Sequence, residues 1–361
     1  MGVPPSRHSS IRARRDTDVL DFDWDVGSTE AIKLQVLFSE AKARARALLM
    51  GRATTRDGYL FAHRIKRRLL RMLSDESFAR LSHWENAGRR LNLQNPQTFN
   101  EKLWWLKLHN RQPLLTTCSD KLAVRDYVAH TVGPEFLIPL IGVYNSVEEI
   151  DYSHFHGTVF LKTTHGSGSN AIWSEGGTFD RPEFERRFRK ALSQNYYHES
   201  REWNYRDIEP KIIAEVALQP SDENPLADFR FLCFYGVCKL LFVDIGTAAP
   251  DGSHALGAQR NVYDREFNLL DVAVTRERFD PSLVRRPARL AEMVEIAEKL
   301  GKPFPFCRVD LYYVGDSIYF GEMTFYPGGA NHTSDPESFE YTMGSWIDLD
   351  RFLREDFTPP L

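Results

Sequence analysis

CxxC pairs and long apolar runs are both missing from this chain. It has four cysteines in 361 residues, and no two of them form a CxxC pair. Zinc sites and disulfide frameworks are built from paired cysteines, so their absence favours free thiols in a reducing cytosol. No apolar run of about 18 residues occurs, and the N-terminus lacks the apolar segment of a secretory signal. We therefore expect a cytoplasmic protein without a transmembrane segment.

An excess of positive charge is also lacking. The formal net charge is −4 at pH 7, which argues against a nucleic-acid binder. The charge is unevenly spread, because the stretch from Arg44 to Arg71 is strongly basic. Apolar residues with helical spacing between Ala31 and Met50 place part of this charge on one helix face. Two interpretations stay open: a surface for an acidic partner or an anionic membrane, and an ordinary solvated helix face.

Several common catalytic signatures are absent, namely the Walker A pattern GxxxxGKS/T, the dinucleotide-binding pattern GxGxxG and the nucleophile pattern GxSxG. A different segment is suited to phosphate. The apolar strand Val159–Leu161 ends in Lys162, and a Gly/Ser loop, His165–Ser169, follows closely. A lysine binds phosphate oxygens as a point charge, and glycines let backbone N–H groups approach them. The alternative is a loop that only connects two elements.

Two acidic residues lie in a predicted β-hairpin near the C-terminus. Two strand-like runs, rich in apolar and aromatic residues, flank a turn at Gly315–Ser317. With that loop, Asp310 lies opposite Glu322, and Thr324 follows on the same face. Adjacent carboxylates repel each other unless a cation lies between them, and hard oxygen ligands suit Mg²⁺. The alternative is an exposed hairpin with two unrelated acids.

Helix and strand patterns alternate along the rest of the chain. Thr98 and Glu101 have the spacing of a capping box at the start of a helix. Another helix is predicted from about Arg286 to Leu300, before the hairpin. The predicted strands cover residues 159–162, 212–218, 229–234 and 239–243. Strands interleaved with helices, with much of the pairing through hairpins, predict an α+β fold.

One predicted strand carries a charged pair on a single face. Strand alternation places Asp228 and Arg230 on the same side. An arginine in that position is suited to clamp a phosphate or a carboxylate. A structural Asp–Arg pair is the alternative. Asn331 and His332, after a Gly-Gly pair, are candidates for a substrate-pocket wall, with a surface loop as the alternative.

The order of these segments resembles the ATP-grasp superfamily. More narrowly, the chain resembles the TupA-like ATP-grasp family, named for a teichuronopeptide biosynthesis protein. The resemblance covers about Leu70 to the C-terminus. It depends on the following segments: Thr98-Phe99-Asn100-Glu101-Lys102, Ser119-Asp120-Lys121-Leu122-Ala123-Val124-Arg125, Phe160-Leu161-Lys162-Thr163-Thr164-His165-Gly166-Ser167-Gly168, Glu202-Trp203, Arg308-Val309-Asp310-Leu311-Tyr312 and Phe320-Gly321-Glu322-Met323-Thr324-Phe325-Tyr326-Pro327.

The resemblance implies an ATP-grasp fold, in which two α+β subdomains grip ATP, here with a mainly helical N-terminal region. We expect an N-terminal extension over residues 1–69 and a substrate-side domain over 70–155. The small, lid-forming subdomain is expected over 156–220, and the large subdomain with the metal site over 221–361. A homodimer is consistent with this organisation.

The resemblance also implies a role for each group in the site, with ATP and two Mg²⁺ ions as cofactors. Lys121 and Lys162 would contact nucleotide phosphates, and Arg230 would stabilise the transferred phosphoryl group. Backbone groups of Ala214, Glu215 and Val216 would bind adenine. The loop that would close over the phosphates consists of His165, Gly166, Ser167, Gly168 and Ser169. The metal ligands would be Asp310, Glu322 and Thr324, the last standing where many ATP-grasp enzymes have asparagine.

The activity that the resemblance implies is amide-bond formation. An ATP-grasp ligase moves the γ-phosphoryl group onto a carboxylate, and an amine then attacks the acyl phosphate. The substrates would be a carboxylate and an amine, used in cell-surface polymer assembly or in a peptide-like metabolite. Two alternatives stay open: a kinase that phosphorylates a hydroxyl or a carboxylate, and a non-catalytic nucleotide-binding scaffold.

Overall fold

The computed structural model describes residues 68–219, 226–255 and 257–354. The chain divides into two units, Met1–Leu49 and Met50–Leu361, and every described residue belongs to the second. The basic helices predicted before residue 68 therefore lie outside the described residues. Within the described part, no helix is long and apolar enough to cross a bilayer. The domain boundaries stay a prediction.

Helices precede the first strand, and the second of them begins where the sequence predicts. They include α1 (Asp75–Ala87), α2 (Phe99–His109), α3 (Pro113–Ser119) and α4 (Val124–Thr131). The predicted capping box is confirmed. The Glu101 N–H donates to Thr98 Oγ1 at 3.3 Å, and the Thr98 N–H donates to Glu101 Oε2 at 3.1 Å. Two backbone donors at the start of α2 are thus satisfied by side chains.

A four-stranded antiparallel sheet follows. Its strands are β1 (Leu140–Tyr144), β2 (Thr158–Thr163), β3 (Asn170–Ser174) and β4 (Ile212–Val216), in the order β1-β4-β2-β3. Between β3 and β4 lie α5 (Arg181–Leu192) and the short α6 (Tyr197–Ser200). Phe184 and Phe188 of α5 belong to the same buried cluster as Val159 and Leu161 of β2. This cluster fixes α5 against one face of the sheet.

A five-stranded antiparallel sheet forms the rest of the described fold. Its strands are β5 (Asp228–Phe234), β6 (Val237–Ile245), β7 (Gln259–Asp264), β9 (Cys307–Val314) and β10 (Ser317–Thr324), in the order β10-β9-β5-β6-β7. A small sheet pairs β8 (Ala273–Val274) with β11 (Ser334–Asp335). The α-helices that follow in the described region are α7 (Leu290–Gly301), α8 (Ser338–Ser345) and α9 (Leu349–Arg354). The α+β class is confirmed.

Helix α7 covers one face of the five-stranded sheet. It begins at Leu290 rather than at about Arg286, because Arg286 precedes a proline and such residues disfavour helical dihedrals. A Cβ on Gly301, at the end of α7, would lie 2.8 Å from Cβ of Cys233. Alternation places Phe231, fully buried, on the same side of β5 as Cys233. The apolar face therefore packs on α7, and the opposite face is left for polar residues.

Candidate active site

A strip of charged side chains crosses the sheet face opposite α7. Side chains of residues that are directly opposite each other on paired strands share a face. Register partners on neighbouring strands place these charges in a row: Glu322 on β10, Asp310 on β9, Arg230 and Asp228 on β5, Asp244 on β6 and Arg260 on β7. The strip thus collects charges from all five strands of the sheet.

The predicted pairing of Asp310 with Glu322 is confirmed, although the turn that produces it differs from the predicted one. The predicted three-residue loop is wrong. The loop contains only Gly315 and Asp316, with φ of 54° and 64°, as a two-residue type I′ turn requires. That shorter loop alone would place Gly321 opposite Asp310. A β-bulge at Gly321 shifts the register and brings Glu322 into that position.

Arg308 lies between the two carboxylates. Its Nε and Nη2 donate to the two Asp310 carboxylate oxygens at 2.7 and 2.6 Å, and Nη2 also donates to Glu322 Oε1 at 2.8 Å. The guanidinium therefore supplies a cation that offsets the repulsion between the acids. We assigned Arg308 no role from the sequence. Strand alternation could have found it, since residues 308 and 310 lie on the same face.

The surroundings of the two acids move their pKa values in opposite directions. Burial raises the pKa of Asp310 to about 6, although Arg308 and Arg230 oppose this. Partial burial would also raise the pKa of Glu322, but the guanidinium of Arg308 and the ammonium groups of Lys121 and Lys162 help to hold it below its usual value. Lys162 lies on β2. A cation of the four-stranded sheet therefore lies near an acid of the five-stranded sheet.

Thr324 completes an oxygen-rich corner beside the acids. Its hydroxyl donates to Glu322 Oε1 at 3.3 Å. Among the described residues, no group of three or more His, Cys, Asp or Glu side chains is placed to hold a metal. Two carboxylates and a hydroxyl still fit Mg²⁺, which is usually bound by one or two carboxylates together with substrate phosphates. The ligand roles of Asp310, Glu322 and Thr324 stay a prediction.

Glu215, on the inner strand β4 of the four-stranded sheet, lies between two cations. Its carboxylate forms an ion pair with Lys162, whose Nζ lies 2.6 Å away, and it accepts a hydrogen bond from Arg125 Nη1 at 2.9 Å. Ala214 is buried, whereas Val216 is exposed and its N–H donates to the Pro139 carbonyl at 3.1 Å. Binding of adenine by the backbone of residues 214–216 stays a prediction.

The predicted phosphate loop, His165–Ser169, is anchored at several points. Lys121 Nζ donates to the Gly166 carbonyl at 2.6 Å, and burial lowers the pKa of Lys121. His165 Nε2 forms a hydrogen bond with the Ala191 carbonyl at 3.0 Å, and burial lowers the pKa of this histidine as well. Gly168 has a φ of 85°, which side-chain-bearing residues rarely adopt. The structure thus brings Lys121 onto the loop, while the phosphate contacts stay a prediction.

Arg230 lies at the centre of the charged strip. It contacts Asp228 at 3.3 Å, Asp244 at 3.1 Å and Asp310 at 3.6 Å. The structural Asp228–Arg230 pair left open by the sequence is therefore present. The same guanidinium also touches the candidate metal ligand Asp310. Its role in phosphoryl transfer stays a prediction.

Comparisons with known proteins decide the family. The model of the TupA-like ATP-grasp family matches residues 101–348. The chain belongs to the TupA-like ATP-grasp family. The match covers the lysines, the loop and the acidic hairpin, and it confirms the resemblance and the ATP-grasp fold. A search of curated proteins found no significant match.

Solved structures similar to this TupA-like protein include several ligases. L-amino acid ligase from Bacillus licheniformis is 16% identical with a TM-score of 0.39, and the match covers 64% of this chain and 49% of that one. D-alanine–D-alanine ligase from Bacillus anthracis is 13% identical with a TM-score of 0.37, covering 72% and 71%. D-cycloserine synthetase DcsG is 16% identical with a TM-score of 0.36, covering 67% and 72%. The TupA-like chain thus spans about half the length of the first of these.

Two buried ionisable residues that interact with each other, Glu202 and Lys107, have no role in the sequence analysis. Burial raises the pKa of Glu202 to about 7, against the field of Lys107. Burial lowers the pKa of Lys107 to about 8, and its Nζ donates to the Gly329 carbonyl at 3.0 Å. Glu202 also lies close enough to Glu322 to interact with it electrostatically. The Glu202-Trp203 motif was the signal for this neighbourhood.

Asn331 and His332 do not form an exposed loop. The His332 N–H donates to Asn100 Oδ1 at 3.0 Å, and Asn331 Oδ1 accepts from Trp104 Nε1 at 3.3 Å. Both contacts are made with α2. The surface-loop alternative is therefore wrong for the buried His332, while a role in a substrate pocket stays a prediction.

Proposed function

We propose that this protein is an ATP- and Mg²⁺-dependent ligase that joins a carboxylate to an amine and releases ADP. Family membership over residues 101–348 supports the use of ATP. The observation that carries the proposal is the pairing of the buried Asp310 with the partly exposed Glu322 on the charged face of the sheet. Lys121 and Lys162 lie close enough to lower the pKa of Glu322, so cations and acids meet at one place.

The proposed reaction needs charge neutralisation more than covalent catalysis. A carboxylate is a poor electrophile, because its leaving group would be oxide. Transfer of the γ-phosphoryl group gives an acyl phosphate and ADP, and attack by an amine then forms the amide and expels phosphate. Bound Mg²⁺ supplies charge neutralisation for the phosphates. Positioned cations of the protein add to this without reorganising during the reaction.

Lysines, an arginine, a loop, one strand and the acidic pair each have a role in the proposed reaction. Lys121 and Lys162 bind phosphate oxygens, and Arg230 contacts the transferred phosphoryl group. The loop His165–Ser169 closes over the phosphates and keeps water from the acyl phosphate. Residues 214–216 bind adenine. The acids Asp310 and Glu322, with Thr324, hold the metal. The product belongs to cell-surface polymer assembly or to peptide-like metabolites.

The first test is calorimetric titration of ATP with and without Mg²⁺. Amino acids and uronic acids are then screened for stimulated ADP release, with hydroxylamine added to trap acyl phosphate as a hydroxamate. We expect Mg²⁺-dependent binding, and a hydroxamate that appears only with a carboxylate substrate. The variant Asp310→Asn serves as the inactive control.

Other outcomes identify the alternatives. ADP release that needs only an alcohol acceptor, without a hydroxamate, would indicate a kinase. Failure to bind ATP in the presence of Mg²⁺ would remove the ligase proposal and favour a non-catalytic scaffold.

A further inference from the structure

Three guanidinium groups converge on the carboxylate of Asp244, which is fully buried. Arg260 donates to both of its oxygens, at 2.6 and 2.7 Å. Arg276 Nη1 donates to Oδ2 at 2.5 Å, and Arg230 Nη1 approaches the same oxygen at 3.1 Å. Arg260 alone already forms the two-bond fork that pairs a guanidinium with a carboxylate. Asp244 therefore contacts three guanidinium groups, of which only Arg230 also contacts other carboxylates, those of Asp228 and Asp310, among the described residues.

Arg276 differs from the other two arginines in its accessibility. Its side chain is 29% exposed, compared with 3% for Arg260 and 13% for Arg230. Arg260 is also covered by the Phe242 ring, whose centroid lies 4.6 Å from its guanidinium carbon. Apart from Nη1, no side-chain N–H of Arg276 has a hydrogen-bond partner among the described residues. Arg276 can therefore bind a second anion while it keeps its contact with Asp244.

An unusual backbone conformation presents Arg276 to this site. Thr275 has a φ of 64°, which is rare for a β-branched residue. The conformation is held by one neighbouring segment, because the Thr275 N–H donates to the Thr333 carbonyl at 2.8 Å and its hydroxyl lies 2.8 Å from His332 Nδ1. Such conformations persist only where the surrounding structure enforces them, and they cluster at functional sites.

The charged strip has two ends of opposite character. At the end formed by β9 and β10, the carboxylates of Asp310 and Glu322 share the guanidinium of Arg308, whereas Asp228 and Arg230 lie on β5 between the two ends. At the other end, Arg260 and Arg276 share the single carboxylate of Asp244. The first end suits metal ions, and the second suits an anion.

The ionisation of neighbouring groups agrees with a positive potential at the second end. Burial, followed by the nearby charges of Arg260 and Arg308, lowers the pKa of His332 to about 3. Burial also lowers the pKa of Arg276; Asp244 and Asp228 oppose this, whereas the guanidiniums of Arg230 and Arg308 add to it.

We infer that Arg276 binds a carboxylate of the substrate other than the one that is activated, so that the amine substrate is an amino acid. The inference rests on the proposed ligase function. Arg230 bridges Asp244 and Asp310, so Arg276 lies beside the candidate metal site but is separated from it. An amino acid bound in this way places its carboxylate on Arg276 and leaves its amine free to reach the acyl phosphate. The flat guanidinium fork matches a carboxylate better than a lysine ammonium does.

The test measures binding without turnover. Saturation-transfer NMR with Mg²⁺ and a non-hydrolysable ATP analogue tests the twenty standard L-amino acids, the C-terminal amide of each one that binds, and inorganic phosphate. We expect at least one amino acid to bind wild-type protein, its amide to bind at least tenfold more weakly, and Arg276→Gln to lose at least tenfold in affinity. Arg276→Lys should restore this only in part.

Arg278→Gln is the matched control, because Arg278 lies two residues further on and pairs only with the exposed Asp271 among the described residues. It should bind amino acids like the wild type. Thermal melting checks the fold of Arg276→Gln, whose Asp244 keeps Arg260 and Arg230 as partners. Equal amino-acid binding by Arg276→Gln and wild type, no binding of any amino acid, or binding of phosphate alone would overturn the inference.

The two proposals fail separately. If amino acids bind in an Arg276-dependent way but no hydroxamate forms, the proposed ligase function is wrong and the Arg276 binding site is supported. If ligase activity is present and Arg276→Gln keeps the wild-type KM for the amine substrate, the ligase function is supported and the Arg276 binding site is wrong.

Discussion

Arg308 changes the interpretation of the acidic pair at the level of single residues. Two carboxylates about 4 Å apart repel each other by about 4 kcal/mol at an effective dielectric constant of about 20. From the sequence, we expected Mg²⁺ to relieve that repulsion. In the structure, the Arg308 guanidinium does so through three hydrogen bonds. A metal held by both acids would therefore compete with an arginine already in contact with them.

Removal of either acid should stop turnover without unfolding the protein. Asp310→Asn or Glu322→Gln loses the negative charge that would hold the metal, and Arg308 can still donate to the remaining oxygens. We expect ADP release to fall more than about 100-fold, with little change in melting temperature. Glu295→Gln, an exposed glutamate of α7, is the control. Wild-type activity in either acid variant would end the metal assignment.

Lys162 should affect nucleotide binding more than folding. Lys162→Met removes one of two cations on Glu215, but Arg125 remains to neutralise that carboxylate. We expect ATP affinity measured by calorimetry to fall at least about tenfold. The melting temperature should change by only a few degrees. Lys190→Met, at an exposed position of α5, should leave both quantities unchanged. Unaltered ATP affinity in Lys162→Met would remove Lys162 from the phosphate site.

At the level of elements, the β-bulge in β10 sets the geometry of the acidic pair. A Cβ on Gly321 would lie 2.9 Å from Cε2 of Tyr312 and 3.1 Å from the Asp310 carbonyl oxygen. The bulge therefore depends on a residue without a side chain at this point. Without it, the two-residue turn would place Glu322 on the wrong side of the sheet, because side chains alternate between the faces of a strand.

Gly321→Ala should consequently damage activity more than stability. The new methyl group must push on Tyr312 or on the backbone of β9, which moves Glu322 relative to Asp310. We expect at least a tenfold loss of ADP release and a lower melting temperature, measured on the same preparation. Gly315→Asn in the turn is the control, since asparagine tolerates the positive φ of a type I′ turn. If Gly321→Ala is as active as Gly315→Asn, the bulge does not control the site.

At the level of the whole molecule, the site depends on contact between the two sheets. The Ile172 N–H of β3 donates to the Asp251 carbonyl at 2.9 Å, and a Cβ on Gly252 would lie 2.8 Å from the Ala171 carbonyl carbon. The loop after β6 is therefore packed on the edge of the four-stranded sheet. This contact helps to keep Lys162 near the acidic hairpin.

Buried histidines should make the folded protein sensitive to acid. Burial lowers the pKa of His83 to about 4, so the unfolded chain, with a pKa near 6.5, binds more protons in this range. The contribution of His83 to stability is thus complete above about pH 6.5 and is lost as the pH falls towards 4, by up to about 3 kcal/mol. His332 acts in the same direction.

Replacement of His83 should therefore flatten the pH dependence of stability. The free energy of unfolding of wild type and of His83→Leu is measured by urea titration from pH 7 to pH 5. We expect that of the wild type to fall more than that of the variant as the pH falls. His154→Gln, with a ring that is 76% exposed, should follow the wild type. A constant difference between His83→Leu and wild type would contradict the low pKa of His83.

Local patterns accounted for much of the fold and for part of the site. The capping box at Thr98 and Glu101, the acidic hairpin and the Lys162 loop could be recognised because each depends on spacing within a few residues. The length of the hairpin turn could not, because a shorter loop with a bulge and a longer loop without one both bring Asp310 opposite Glu322. Which of the two forms depends on the close packing of Gly321 against β9.

Residue types and their short-range spacing were thus enough to indicate an α+β fold, the TupA-like ATP-grasp family and the candidate metal and phosphate residues. Short-range spacing could not predict which residues from distant segments pair with a buried charge. Arg276 contacts Asp244 only because the fold brings β6 together with the segment after β8. In the same way, Lys121 contacts Gly166 only because the segment between α3 and α4 lies beside the loop between β2 and β3. Helical and strand periods are local properties of the chain, whereas the choice of partner for a buried charge depends on how whole elements pack.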